Sequence, residues 1–188
     1  MARPLRIVGY AIVSSDGMLA DRAGHIPDGL KIDADQRLFE AGLNAADAVV
    51  HGRHSGEDQA NSPRRRRLIL TRKIPGIGAD PDNPLARLWN PAGASLAAAC
   101  HALGVDAGTL AILGGTEVFG LFLDIGYDAF NLSRANKVQL PGGRPVFPEV
   151  PARTPEETLA SHGLAPGPRR VLDENAEATL VTWTRRAS

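Results

Sequence analysis

The sequence of 188 residues predicts one α/β domain, residues 1–188, in which helices flank a mostly parallel central sheet. Short apolar runs alternate with amphipathic stretches, and strands that alternate with crossover helices form parallel sheets. Turn-forming residues follow the apolar runs and indicate where the strands end. The last two strand-like segments have no helical pattern between them, which predicts an antiparallel hairpin at the C-terminal end.

The predicted strands are short apolar runs of the kind that is buried in a parallel sheet. The first, LRIVGYAIV at residues 5–13, ends at the turn sequence SSDG. The later runs that we interpret as strands are residues 46–52, 67–71, 109–115, 127–135 and 178–186.

Three stretches have the apolar spacing of helices, and they are residues 33–45, 91–104 and 116–126. In the first of them, Leu38, Phe39 and Leu43 form an apolar stripe. Asp33 stands at the start of this stretch, where an aspartate is a suitable N-cap.

Three segments carry neither pattern. Residues 18–32 form a long loop between the first strand and the first helix, and loops of this length are more often functional than accidental. Residues 72–84 and residues 141–168 are rich in turn-forming residues. We interpret both as irregular connections.

Composition and charge narrow the class of protein. The formal net charge is zero, with 21 basic and 21 acidic side chains, so no general field attracts nucleic acid or an anionic membrane. The N-terminal residues lack the apolar core of a signal peptide, and no apolar run is long enough to span a membrane. We therefore expect a cytoplasmic protein without a nucleic-acid or membrane partner. The single cysteine, Cys100, excludes an internal disulfide, and we predict no metal site.

The strand ends carry the residues that suggest a ligand. In open α/β sheets, ligands bind beyond the carboxyl ends of the strands. The strand-to-loop junctions fall at residues 16–17, 52–55, 71–72 and 114–116, and they carry glycine, arginine or hydroxyl groups. These groups are suited to anions, so the pattern favours a nucleotide or phosphate ligand, with ordinary turns as the alternative. Neither a P-loop nor a G-x-G-x-x-G fingerprint is present.

Four motifs, each at a strand end and in this order, resemble the dihydrofolate reductase superfamily: ADAVVHGRHS, RRRRLILTRK, LAILGGTEVFGLFL and GGRPVFPEV. The segments SSDGMLAD and LNAADAVVHGRHS resemble the reductase-domain branch related to riboflavin biosynthesis more than they resemble true dihydrofolate reductases. The resemblance implies a dihydrofolate reductase-like fold, an oxidoreductase that uses NADPH, and a homodimer.

The resemblance also implies which residues hold the cofactor. Arg53 takes the role of the arginine that meets the 2′-phosphate of NADPH, with Thr71 and Arg72 near the adenosine phosphate. Gly114 and Gly115 let the nicotinamide and pyrophosphate portion lie directly on the backbone. The complete set of implied cofactor-binding residues is Ala11, Ile12, Gly52, Arg53, His54, Ser55, Thr71, Arg72, Gly114, Gly115, Thr116, Glu117 and Val118.

For the substrate side, the resemblance implies that Asp35, four residues before Phe39, is the proton donor. The alternative is that Asp35 is a first-turn carboxylate favoured by the helix dipole. Phe39 is expected to pack against the substrate ring, and Arg65 falls near the position where folate enzymes hold a substrate carboxylate. Residues 16–30 are the counterpart of a flexible lid.

The expected function is therefore an NADPH-dependent reductase that transfers a hydride to a small heterocyclic or carbonyl substrate, related to the pyrimidine reductases of the riboflavin pathway. A tryptophan in the lid is absent, and Gly56 stands where folate enzymes have an aromatic residue. Two alternatives remain open, a dihydrofolate or dihydropterin reductase and a non-catalytic nucleotide-binding relative.

Overall fold

The computed structural model describes residues 4–186. The strands of this part of the chain are β1 Leu5–Ser14, β2 Met18–Ala20, β3 Ala48–Gly52, β4 Arg67–Leu70, β5 Ile77–Ala79, β6 Ala86–Trp89, β7 Gly108–Gly114, β8 Ala129–Ala135, β9 Arg144–Pro145, β10 Leu164–Asp173 and β11 Ala178–Arg185. The helices are α1 Asp33–Ala45, α2 Leu96–Leu103, α3 Thr116–Ile125 and α4 Pro155–Ser161.

Nine of these strands form one sheet in the order β10-β11-β8-β1-β7-β3-β4-β6-β5. The six strands from β8 to β6 in this order are parallel to one another, whereas β5, β10 and β11 pair antiparallel. Strands β2 and β9 form a separate two-stranded sheet. The predicted fold class is thus confirmed, including the antiparallel strand pair at the C-terminal end.

The first predicted helix coincides with α1, but its predicted cap is wrong. Ile32 is the N-cap residue, and no side chain accepts a hydrogen bond there. Asp33 lies one position later, in the first turn, where a carboxylate is favoured by the positive end of the helix dipole. The second predicted helix begins later than expected because the side chain of Ser95 caps α2 by accepting from the Ala98 N–H.

The C-terminal hairpin consists of β10 and β11, and β8 pairs with the other edge of β11. The prediction that no helix lies between the last two predicted strands, residues 127–135 and 178–186, is wrong, because α4 lies within the segment interpreted as irregular. Thr154 and Glu157 form a capping box at its start, and Pro155 is tolerated in the first turn because its missing N–H is not needed there. The short strands β5 and β6 were also not predicted.

The main core packs between the sheet and the helices α2 and α3. Aromatic rings dominate it: Phe119, Phe130 and Phe147 contact one another with centroids 5.3 to 6.2 Å apart. A smaller core of Leu43, Val49 and Ala111 lies under α1. These two cores fix both faces of the sheet and so fix the positions of its strand ends. None of the helices within residues 4–186 combines the length and apolar character needed to cross a membrane.

Candidate active site

A cleft of about 1420 Å³ opens at the carboxyl ends of β1, β3, β4 and β7. Its volume exceeds the roughly 300 to 1000 Å³ that is typical of a site for one small molecule. The predicted site residues that line it are Ala11, Ile12, Asp35, Phe39, Gly52, Arg53, His54, Ser55, Thr71, Arg72, Gly115, Thr116, Glu117 and Val118. The fold therefore brings together residues from five separate parts of the chain.

Gly114 and Gly115 form a stretch of bare backbone between β7 and α3. The peptide bond between them is cis. Gly114 has a φ of +94°, and a Cβ atom there would lie 2.4 Å from the ring of Phe119, so only glycine fits. A Cβ atom on Gly115 would lie 3.1 Å from Oγ of Ser55. Gly115 lines the cleft and leaves room there that a side chain would occupy, whereas Gly114 lies behind it and does not line the cleft.

The start of α3 and its neighbours supply groups suited to an anion. The N-cap residue of α3 is Gly115, and no side chain caps this end, which leaves N–H groups of the first turn without a side-chain partner. Thr116 is available only through its backbone, because its hydroxyl donates to the carbonyl oxygen of Pro145. The guanidinium of Arg53 is exposed and has no hydrogen bond or ion pair within residues 4–186.

Asp35 lies on the first turn of α1 and points into the opposite side of the cleft. Burial raises the pKa of its carboxyl group, and the hydroxyl of Ser133 opposes the rise by hydrogen bonding to the ionised form. Ser133 is itself buried in β8, where it pairs in register with Ile12. Ser133 was not predicted as a site residue, because β8 also contains Asn131 and Arg134 and no sequence pattern distinguishes this hydroxyl from them.

Aromatic side chains form the wall beside Asp35. Phe39 packs edge-to-face against Tyr10, with ring centroids 6.2 Å apart and an interplanar angle of 73°. Tyr10 also lines the cleft and was not predicted as a site residue. Burial raises the pKa of its hydroxyl, so this group is neutral at physiological pH. The two rings give the cleft an apolar wall next to a carboxyl group.

The segment predicted to be a lid does border the cleft. Leu19, Ala20, Gly24, Ile26 and Leu30 all contribute to its lining. Ile26 is 57% exposed and faces the open cleft. The base of the segment is tied down, because the carboxylate of Asp16 accepts from the Leu140 N–H at 3.0 Å.

Arg65 does not reach the cleft, so the structure does not support its predicted contact with substrate. Its guanidinium donates to Oε2 of Glu57 at 2.8 Å and to Oδ1 of Asn44 at 2.6 Å. The Arg65 and Glu57 side chains are only 7% and 4% exposed. The arginine instead borders a separate cavity at the amino ends of the strands, with its charge neutralised by Glu57.

Glu57 also binds Arg67, which in turn contacts the buried side chain of His51. Arg67 donates to Oε1 of Glu57 at 2.9 Å and lies 3.0 Å from Nε2 of His51. Because arginine can only donate, Nε2 of His51 accepts and Nδ1 carries the proton that binds the Gly52 carbonyl at 2.7 Å. Burial lowers the pKa of His51, which keeps it neutral. This network fixes the loop that follows Arg53, His54 and Ser55.

The sequence matches no protein-family model and no curated protein sequence. Three solved structures, however, resemble the fold. A protein from Shewanella sp. PV-4, provisionally named for riboflavin biosynthesis, is 21% identical with a TM-score of 0.66, and both chains are covered completely. Dihydrofolate reductase from Enterococcus faecalis, complexed with NADP(H) and RAB-propyl, is 16% identical with a TM-score of 0.65, again over all of both chains.

The third is a diaminohydroxyphosphoribosylaminopyrimidine deaminase/5-amino-6-(5-phosphoribosylamino)uracil reductase from Thermotoga maritima, which is 18% identical with a TM-score of 0.60. The match covers 98% of this chain and 57% of that one. At these identities the likeness establishes the fold. The chain has a dihydrofolate reductase-like fold, as its motifs predicted.

Proposed function

We propose that this chain, which has a dihydrofolate reductase-like fold, is an NADPH-dependent reductase that transfers a hydride to a small heterocyclic or carbonyl substrate. One observation carries the proposal. A cleft at the carboxyl ends of the strands has bare backbone and basic side chains on one side and a half-buried carboxyl group on the other. The first side is suited to a dinucleotide and the second to proton donation.

The residues present fit a dinucleotide phosphate. Arg53, Arg72 and Lys73 bring positive charge to the cleft, and the uncapped start of α3 offers backbone N–H groups. The absence of a side chain at Gly115 leaves the space in which a ligand can approach the backbone. When bound, NADPH supplies the hydride from its nicotinamide ring, and the protein supplies placement.

Asp35 is the proposed proton donor. Because burial raises the pKa of this carboxyl group, a larger fraction stays protonated near neutral pH than in an exposed aspartate. Phe39 and Tyr10 form an apolar wall against which a heterocyclic substrate can pack beside that group. Residues 16–30 act as the lid, and its closure excludes water from the reacting atoms.

The position of Arg65 favours a riboflavin-type substrate over folate. The resemblance implies that Arg65 would hold a folate carboxylate. Its guanidinium, however, already donates hydrogen bonds to Glu57 and Asn44. Dihydrofolate or dihydropterin reduction is therefore the second candidate, supported by the solved dihydrofolate reductase of similar fold. The proposal also includes the homodimer that the resemblance implies. Light scattering tests this oligomeric state.

Binding and turnover test the proposal separately. Isothermal titration calorimetry with NADPH measures cofactor binding directly, and loss of NADPH absorbance follows turnover with a panel of phosphorylated ribitylaminopyrimidine, dihydrofolate, dihydropterin and carbonyl compounds. Binding with turnover of a pyrimidine supports the first candidate, and turnover of dihydrofolate or a dihydropterin supports the second. Binding without turnover of any compound favours a non-catalytic nucleotide-binding protein. No binding at millimolar NADPH contradicts the proposal.

A further inference from the structure

Arg72 and Glu117 face each other across the mouth of the cleft. Arg72 follows β4, and Glu117 lies in the first turn of α3. Nη2 of Arg72 donates to Oε2 of Glu117 at 2.5 Å, and both side chains line the cleft. The contact therefore joins the strand end and the helix end between which the cofactor phosphates are proposed to bind.

This ion pair is easily exchanged for another partner. The side chains of Arg72 and Glu117 are 79% and 78% exposed, and ion pairs in water contribute little to stability. A phosphate is a better partner for a guanidinium than one carboxylate oxygen, because two parallel charge-assisted hydrogen bonds form. The Glu117 carboxylate also lies near the positive end of the α3 dipole, which stabilises negative charge. An incoming phosphate is stabilised at the same position.

We propose that Glu117 is a specificity-determining residue that competes with a dinucleotide phosphate for Arg72. This inference rests on the proposed function. In the empty cleft, Glu117 holds Arg72; when the cofactor binds, its phosphate takes Arg72 and Glu117 moves aside. Because Arg72 is proposed to meet the adenosine phosphate that NADPH carries and NADH lacks, Glu117 lowers the affinity for NADPH more than the affinity for NADH.

The other charged groups near the cleft do not perform this role. The carboxylate of Glu57 is buried and bound to Arg65 and Arg67. Asp58 lines the cleft and is exposed, but it has no ion pair with a cation within residues 4–186. Glu117 is thus the acid whose removal changes the charge around Arg72 most directly.

Isothermal titration calorimetry at low ionic strength, where exposed charges are least screened, tests the inference with NADPH and NADH. We expect Glu117→Gln to raise the affinity for NADPH about threefold to tenfold, with a smaller gain for NADH. Asp124→Asn is the matched control, because it removes the same charge from the exposed far end of α3. Its effect on either affinity is expected to stay below about twofold.

A double-mutant cycle shows whether the gain passes through Arg72. In an Arg72→Met background, we expect Glu117→Gln to give no selective gain for NADPH. An unchanged affinity, an equal gain for both cofactors, or a loss of NADPH affinity in Glu117→Gln overturns the inference while leaving the proposed function intact. If the parent and all variants bind neither cofactor, the proposed function fails and the inference fails with it.

Discussion

The carboxyl group of Asp35 faces the buried hydroxyl of Ser133, so the first turn of α1 meets the inner part of β8 at the cleft. Two opposing influences act on Asp35 there. Burial disfavours the charged form, and the Ser133 hydroxyl favours it by donating a hydrogen bond. Burial is the larger influence, so the pKa of Asp35 is raised. A carboxyl group held in this way is suited to donating a proton in a closed site.

Asp35→Asn is expected to lower kcat by about 100-fold to 10,000-fold, the usual contribution of a positioned acid or base. Steady-state turnover with the best substrate from the panel measures the loss. Glu40→Gln is the control and should retain activity. Glu40 is a half-buried acid on the same helix and does not line the cleft. Unchanged turnover in Asp35→Asn removes this residue from the mechanism.

The same substitution is expected to stabilise the protein at neutral pH. Since the pKa of Asp35 is raised in the folded state, ionisation is costlier in the folded than in the unfolded chain. The resulting loss of stability begins as pH rises above the unfolded pKa of about 3.9 and is complete above the folded pKa. Urea unfolding should therefore show Asp35→Asn to be more stable than the parent at pH 7, with the difference vanishing at low pH. A less stable variant at pH 7 contradicts the assigned direction.

Gly115→Val should abolish measurable NADPH binding or weaken it at least about tenfold. The new side chain begins 3.1 Å from Oγ of Ser55 and extends into the space left by the bare backbone. Gly76→Ala is the matched control, because a Cβ atom there lies 3.5 Å from its nearest neighbour and Gly76 does not line the cleft. Circular dichroism checks that both variants fold, and calorimetry measures binding. Tight binding by a folded Gly115→Val protein contradicts the assigned role.

Glu57→Gln should destabilise the protein by about 3 to 5 kcal/mol, because the buried guanidinium groups of Arg65 and Arg67 lose their counter-charge. Glu149→Gln breaks an exposed pair with Arg153 and should cost less than about 1 kcal/mol. Urea unfolding at pH 7 compares the two. Equal effects would mean that the buried network adds little to stability.

The network should also make the fold sensitive to acid. Burial opposes the ionisation of Glu57, but hydrogen bonds from Arg67, Ser62 and Arg65 lower its pKa overall. A group with a lowered folded pKa contributes stability above its unfolded pKa, about 4.3, and loses it as pH falls through the folded value. The parent should therefore lose more stability than Glu57→Gln between pH 5 and pH 3 in urea unfolding. A parallel decline of both proteins contradicts the assigned shift.

Arg53→Met should weaken NADPH binding about tenfold to 100-fold, as expected for the loss of a charge-assisted hydrogen bond to phosphate. Arg169→Met, on the exposed edge strand β10, removes the same charge away from the cleft and should bind NADPH like the parent. Titration calorimetry on both variants measures the difference. Equal affinities would exclude Arg53 from cofactor binding.

Regular patterns along the sequence predicted those parts of the fold that local periodicity determines. Helix α1 was predicted at its observed bounds because Leu38, Phe39 and Leu43 repeat at helical spacing. Strand β10 was missed because it is an exposed edge strand containing Pro166, Gly167 and Pro168, which carry no alternating apolar pattern. Its pairing with β11 is a tertiary effect.

Some residues of the candidate site could likewise be predicted from the sequence, and others could not. Residues at strand ends, such as Arg53 and Gly115, were found because parallel strands bring their carboxyl ends together. Ser133 was missed because its relation to Asp35 depends on the packing of α1 against a strand distant in the sequence. Arg65 was predicted at the substrate but lies in the buried network around Glu57. Successive residues of an extended segment point to opposite sides, so Arg65 and Arg67 share one side and both reach Glu57.

The most direct test of the central claim is a crystal structure of the protein grown with saturating NADPH. The account predicts electron density for the dinucleotide in the cleft, with its pyrophosphate against Gly115 and the start of α3, its 2′-phosphate near Arg53, and its nicotinamide on the side of Asp35. Density for the cofactor elsewhere on the surface, or a cleft without cofactor density under these conditions, would contradict it.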